Sequence, residues 1–122
     1  MAKTKVFVSF DFEHDFALKE TLIGQSKLSD SPFSINDVSL KETTPEWQQK
    51  ARKGIARCDV FILLLGDKTY QANGVLIEVK MARQLGKKRF QLRKQGQWPT
   101  PVKGAGEVVA WYWKNIKKQL HE

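Results

Sequence analysis

Cysteine is nearly absent from this sequence: Cys58 stands alone among 122 residues. A single thiol excludes an internal disulfide and a cysteine-rich zinc site. Its place just before an apolar run reads as a small core hydrophobe rather than a nucleophile. Histidine is almost as scarce. His14 and His121 do not form a pair at ligand spacing, so no metal centre and no Ser-His-Asp triad is expected. Neither Gly-x-Gly-x-x-Gly nor Gly-x-x-x-x-Gly-Lys-Ser/Thr occurs, which removes both common glycine-rich phosphate cradles. No apolar stretch approaches the roughly 18 residues needed to span a bilayer. Lys3 and Lys5 interrupt the stretch where a signal peptide would carry its apolar core. The expectation is a cytoplasmic protein of one domain, residues 1–122, with no membrane partner.

Acidic residues are scarce in the second half. Residues 1–62 hold nine Lys or Arg and nine Asp or Glu, whereas residues 63–122 hold twelve and four, so the whole formal excess of +8 lies there. Lys87, Lys88, Arg89, Arg93, Lys94 and Lys103 gather around one strand and the loop after it. Lys114, Lys117 and Lys118 fall on a terminal helix. A one-sided basic surface attracts polyanions. No nucleic-acid motif accompanies the charge, and aromatics do not alternate with it along a strand. A solvated face is the simpler reading, with nucleic acid as a minor alternative.

The residues that are present alternate between two periods. Lys5 to Phe10 is strand-like, rich in β-branched and aromatic residues. Residues 14–28 place Phe16, Leu18, Leu22, Ile23 and Leu28 on a helical stripe. Phe33 to Val38 reads as a shorter, more polar strand at a sheet edge. Thr43-Thr-Pro-Glu46 is a helix-start signature, with a capping Thr43, a first-turn Pro45 and Glu46 closing a capping box. That helix is expected to run to about Arg57, burying Trp47, Ala51, Ile55 and Ala56. The run Val60 to Leu65 reads as a strand buried on both faces. A helix over about 74–85 stops at Gly86, and Lys88 to Leu92 forms another strand. Residues 93–106, with three glycines and two prolines, read as loop with a brief edge strand near Val102. A last helix, about 106–120, is expected to bury Val109, Trp113, Ile116 and Leu120. This order predicts an α/β fold: a flavodoxin-like, doubly wound parallel sheet of 4–5 strands, order 2-1-3-4 with the fifth unplaced, and helices on both faces.

Ligands of such sheets bind beyond the carboxyl ends of the strands. That edge should carry Ser9, Phe10, Asp11, Phe12 and Asp15 after strand 1, and Asp37, Ser39 and Glu42 after strand 2. Strand 3 should bring Gly66, Asp67, Thr69, Tyr70 and Asn73, with Glu78 one turn into the next helix. Position alone makes Glu78 a helix-start carboxylate, favoured by the macrodipole by less than about 1 kcal/mol. Its neighbours Val75, Ile77, Val79 and Ala82 are instead those of a half-buried carboxylate. Such a group serves as acid or base, or stabilises positive charge developing on a sugar.

Four segments carry a family resemblance. Val6-Phe-Val-Ser-Phe-Asp-Phe-Glu-His-Asp15 resembles the opening strand of the TIR-like family of small bacterial and archaeal proteins that includes the TIR protein of Thoeris anti-phage systems. Ile55-Ala-Arg-Cys-Asp-Val-Phe-Ile-Leu-Leu-Leu-Gly-Asp-Lys-Thr69 resembles its central strand and following loop. Val75-Leu-Ile-Glu-Val79 resembles its Trp-Val-x-x-Glu-Ile pattern, with Gly74 standing where the family has tryptophan. Trp111-Tyr-Trp-Lys-Asn-Ile116 resembles its closing aromatic helix. The resemblance implies cleavage of the nicotinamide–ribose bond of NAD+, which is substrate rather than cofactor, with Glu78 as catalytic carboxylate. The product would be hydrolysed or cyclised into a signalling nucleotide. Phe10 and Phe12 would wall the ligand, and Ser9, Asp11 and Asn73 would supply polar contacts. Asp37, Gly66, Asp67, Thr69 and Tyr70 complete the expected substrate-binding set. Self-association or a partner protein is implied as well. Two alternatives stay open: a non-catalytic TIR-like interaction module, and a nucleoside deoxyribosyltransferase-like enzyme, whose Gly-(x)3-Glu segment Gly74 to Glu78 also resembles.

Overall fold

The structure is a computed structural model that describes residues 3–39 and 46–121, apart from the side chains of Asn36, Asp37 and His121. The expected cap at Thr43 and Pro45, and Glu42 of the carboxyl edge, lie outside the described residues. In chain order the elements among the described residues are β1 (Thr4–Ser9), α1 (Phe16–Ser26), β2 (Phe33–Val38), α2 (Trp47–Arg57), β3 (Val60–Leu65), α3 (Asn73–Gln84), β4 (Lys88–Arg93), β5 (Glu107–Ala110) and α4 (Trp113–His121), with a 3-10 turn at Thr69–Gln71 before α3. The strands form one all-parallel sheet in the order β2-β1-β3-β4-β5. This is a flavodoxin-like, doubly wound α/β fold.

β3 is central because every residue of it is apolar and buried. Its alternation feeds two cores. Phe61, Leu63 and Leu65 face α2 and α3, joining Phe7, Trp47, Ile55, Val75 and Val79. Val60, Ile62 and Leu64 face α1 and α4, joining Val8, Leu22, Phe33, Phe90 and Ile116. Each fully buried leucine of β3 stabilises the fold by about 2 kcal/mol relative to exposure. Among the described residues no helix is long and apolar enough to cross a membrane.

The chain's last third departs from the sequence reading. Glu107–Ala110 is the fifth strand, paired along β4 from Phe90 to Arg93, and α4 begins only at Trp113. Val109 is therefore buried from a strand, whereas Ile116 is buried from the helix as expected. Gly106, with φ of 91°, turns the chain into β5; a side chain there would put its Cβ 2.2 Å from the Arg89 carbonyl oxygen. Val102 lies in the loop before β5, and with Ala105 it covers the α3 side of the sheet where a further helix would otherwise pack. Two smaller expectations also change. Ala56 is exposed, its place in the α2 face taken by Gly54, and the ends of the α1 stripe, Phe16 and Leu28, are about half exposed.

Much of the basic cluster is committed to holding loops together. The Lys87 ammonium donates to the carbonyls of Ala56 (2.9 Å) and Cys58 (2.8 Å), where α2 ends. Lys88 donates to the Gln119 carbonyl in α4, and Arg89 to that of Gly104 at 2.6 Å. Cations at helix carboxyl ends satisfy orphan carbonyls and complement the dipole. α4 is docked in turn by Asp30, which accepts from Trp113 Nε1 and Lys117 Nζ, both at 3.0 Å. These two donors, Trp113 first, hold the Asp30 carboxyl below its ordinary range.

Candidate functional site

Strand parity decides what meets at the carboxyl edge. β1 pairs with β2 in register up to Val6↔Ile35, then resumes at Phe7↔Asp37, so Asn36 is an extra residue in β2. One inserted residue exchanges the faces of everything after it. Phe33 and Ile35 pack toward α1 and α4, and so does Val38, although its position has the opposite parity. Ser39 therefore turns to the opposite side, where Ser9 and α3 are.

There the two serines meet Glu78. α3 starts at Asn73, which puts Glu78 in the second turn rather than the first, on the inward stripe with Val75, Val79 and Ala82. Glu78 is 1% exposed. Its Oε1 accepts from Ser9 Oγ at 2.7 Å and from Ser39 Oγ at 2.5 Å. Ser39 is fixed independently: its N–H donates to the Val8 carbonyl (2.9 Å), and its hydroxyl accepts from the Phe10 N–H (3.2 Å). Two hydroxyl donors from two strand ends converge on one carboxylate oxygen, which sets the direction of the carboxyl group.

A second buried carboxylate, Asp15, lies at the amino end of α1. It accepts from Thr69 Oγ1 at 3.0 Å, and that hydroxyl accepts from the Gly66 N–H at 2.7 Å. Gly66 admits it closely, since an added Cβ would fall 2.3 Å from Asp15 Oδ1. Burial raises the Asp15 carboxyl above its ordinary value, the Thr69 hydroxyl opposes the rise, and the Asp11 charge adds to it. Beside it, Asp11 Oδ2 and His14 Nδ1 are 2.6 Å apart. Both line a cavity of about 260 Å³ between the loops after β1 and β3, with Glu13, Lys68, Gln71 and Ala72. This is the β1/β3 switch point, where the sheet order reverses.

The expected set is thus divided. Ser9 is brought to Glu78. Gly66 and Thr69 are brought to Asp15, and Asp11 to His14. Phe10 and Phe12 stack on each other at 5.7 Å and against Phe16, on the α1 side of the sheet away from Glu78. Asp67, Tyr70 and Asn73 are exposed. The Asp37 side chain lies outside the described residues. Ser39 was placed by the sequence on the edge but not among the substrate contacts; only the β2 bulge brings it to Glu78, and no local pattern announces that. Among the described residues no group of three or more His, Cys, Asp or Glu could hold a metal ion. No protein-family model matches this chain, and no curated protein matches it.

Proposed function

We propose that the chain is an NAD+-cleaving TIR-like enzyme that breaks the nicotinamide–ribose bond with Glu78 as its catalytic carboxylate. The observation that carries this reading is the carboxylate itself: buried, on a rigid helix at the carboxyl edge of the sheet, and aimed by Ser9 and Ser39. The chemistry asks for little more. Nicotinamide is a cationic leaving group on the ribose, so the bond breaks with its electron pair passing to the ring nitrogen, and no acid is needed for departure. The sugar left behind is oxocarbenium-like, and a carboxylate in a site of low dielectric stabilises it strongly. Water then adds and loses a proton, giving ADP-ribose; attack by a nitrogen of the adenine gives a cyclic signalling nucleotide instead. Self-association or a partner protein, and a role in anti-phage defence, belong to the same reading.

A second reading rests on two features of this chain. Glu78 is 1% exposed, and Gly74 stands where the resembling family has tryptophan. In this reading the Ser9–Ser39–Glu78 unit ties β1, β2 and α3 together, and the domain is a non-catalytic TIR-like interaction module.

Nicotinamide release from NAD+ by concentrated protein separates the two. Release by wild type that disappears in Glu78→Gln supports the enzyme. No release at any concentration supports the module, and release of free base from deoxynucleosides in place of NAD+ points to the deoxyribosyltransferase alternative.

A further inference from the structure

On the far side of the sheet from Glu78, α1 and the segments after β4 and β5 border an open cleft of about 450 Å³, with Thr21, Lys94 and Gln95 exposed along it. Small-molecule sites run from about 300 to 1,000 Å³. The cleft lies at the carboxyl edge, since Lys94 and Gln95 follow β4 and Trp111 follows β5. Leu18, Thr21 and Gln25 form one stripe of α1 along its wall, at spacings of three and four residues.

Its polar groups are oriented by chemistry. The Trp111 indole N–H, which can only donate, reaches Gln25 Oε1 at 2.9 Å. The Trp111 carbonyl, which can only accept, takes Gln95 Nε2 at 2.9 Å. One residue therefore fixes both amides, in opposite senses: Gln25 is held by its oxygen and Gln95 by its nitrogen. With no partner among the described residues, the Gln25 amide nitrogen is left as a donor and the Gln95 amide oxygen as an acceptor. The exposed Lys94 adds a cation to the lining, and Leu18 with the buried Trp111 supplies apolar surface.

We propose that this cleft is a binding site for a small organic anion whose planar body carries adjacent carbonyl and N–H groups, as a pyrimidine nucleotide does. The Gln25 nitrogen donates to the ring carbonyl, the Gln95 oxygen accepts from the ring N–H, and Lys94 meets the phosphate. The site is separate from Glu78 and does not depend on the activity proposed for it.

The test follows the Trp111 indole N–H resonance of ¹⁵N-labelled protein, assigned through Trp111→Phe, during titration with uridine monophosphate. A saturable shift at millimolar ligand is expected, and it persists in Glu78→Gln. Uridine, lacking the anion, and inorganic phosphate, lacking the ring, are each expected to bind at least about tenfold more weakly, as is the nucleotide to Lys94→Glu, since charge-assisted contacts are worth more than a factor of ten. The other three tryptophan indoles report that Lys94→Glu remains folded. Absence of a shift overturns the proposal. So does an equal response to phosphate alone, unchanged affinity in Lys94→Glu, or a shift that vanishes in Glu78→Gln.

Discussion

Asp15 and Glu78 are both buried carboxylates at the carboxyl edge of one sheet, 8% and 1% exposed, yet they are held in different ways. Asp15 belongs to loops: its partner Thr69 is itself held by a backbone N–H, and Gly66 leaves just the space it fills. Glu78 belongs to the scaffold, presented from a helix and met by hydroxyls at the ends of two adjacent strands. A carboxylate that closes a loop is explained by the loop. One aimed from rigid elements has the placement that functional groups need, because regular elements position atoms more accurately than loops. The α1 side of the sheet sharpens the contrast, since at the same level it carries Phe10 and Phe12 stacked against Phe16.

Several changes would break this comparison. Gly66→Ala drives a Cβ into the Asp15 carboxylate and should cost about 2–3 kcal/mol, read as a lower urea midpoint with an unchanged slope. A midpoint equal to wild type would show that Asp15 is not packed as described. Ser39→Ala leaves the Phe10 N–H without its acceptor and Glu78 with Ser9. A stability loss of about 1–2 kcal/mol is expected, and nicotinamide release should fall roughly tenfold, the worth of one well-aimed hydrogen bond. Unchanged release beside lost stability would reduce Ser39 to a structural role.

Asp15→Asn should have the smallest effect, and its sign depends on pH. Burial lifts the folded-state carboxyl above the usual 3.8, so the folded chain holds this proton more tightly than the unfolded chain. That contribution is fully present below 3.8 and is lost as pH rises through the higher folded value. The amide keeps an acceptor for Thr69 but does not titrate. The stability of Asp15→Asn relative to wild type should therefore improve as pH rises from below 3.8 towards neutrality. A difference independent of pH, measured by urea midpoints, would contradict the burial of a titrating group there.

The fold was largely legible because its signals are local. The run Val60 to Leu65, the edge-like Phe33 to Val38 and the Gly86 stop, with φ of 65°, all stand where the sequence places them. β5 was not legible, since Val108 and Val109 continue the apolar spacing of the helix after them and only Gly106 marks the change. The basic cluster was visible as charge but not as capping, because Lys87 reaches a helix end some 30 residues earlier in the chain. Glu78 was marked by its apolar neighbours and by the strand before it. Its partners were half legible: Ser9 ends a recognisable strand, but Ser39 arrives on the right face only through an extra residue in β2, and strand register is not written in a local pattern.

The central claim is that the charge of Glu78 does chemistry. Its most direct test is nicotinamide release from NAD+ by wild type and Glu78→Gln, with urea unfolding of both. Glutamine still offers an oxygen to Ser9 and Ser39, so stability should stay within about 1 kcal/mol. Release should fall by about 100-fold to 1,000-fold, the usual effect of removing one electrostatic stabiliser of a transition state. Release that survives the substitution, or its absence from the wild type as well, would contradict the account.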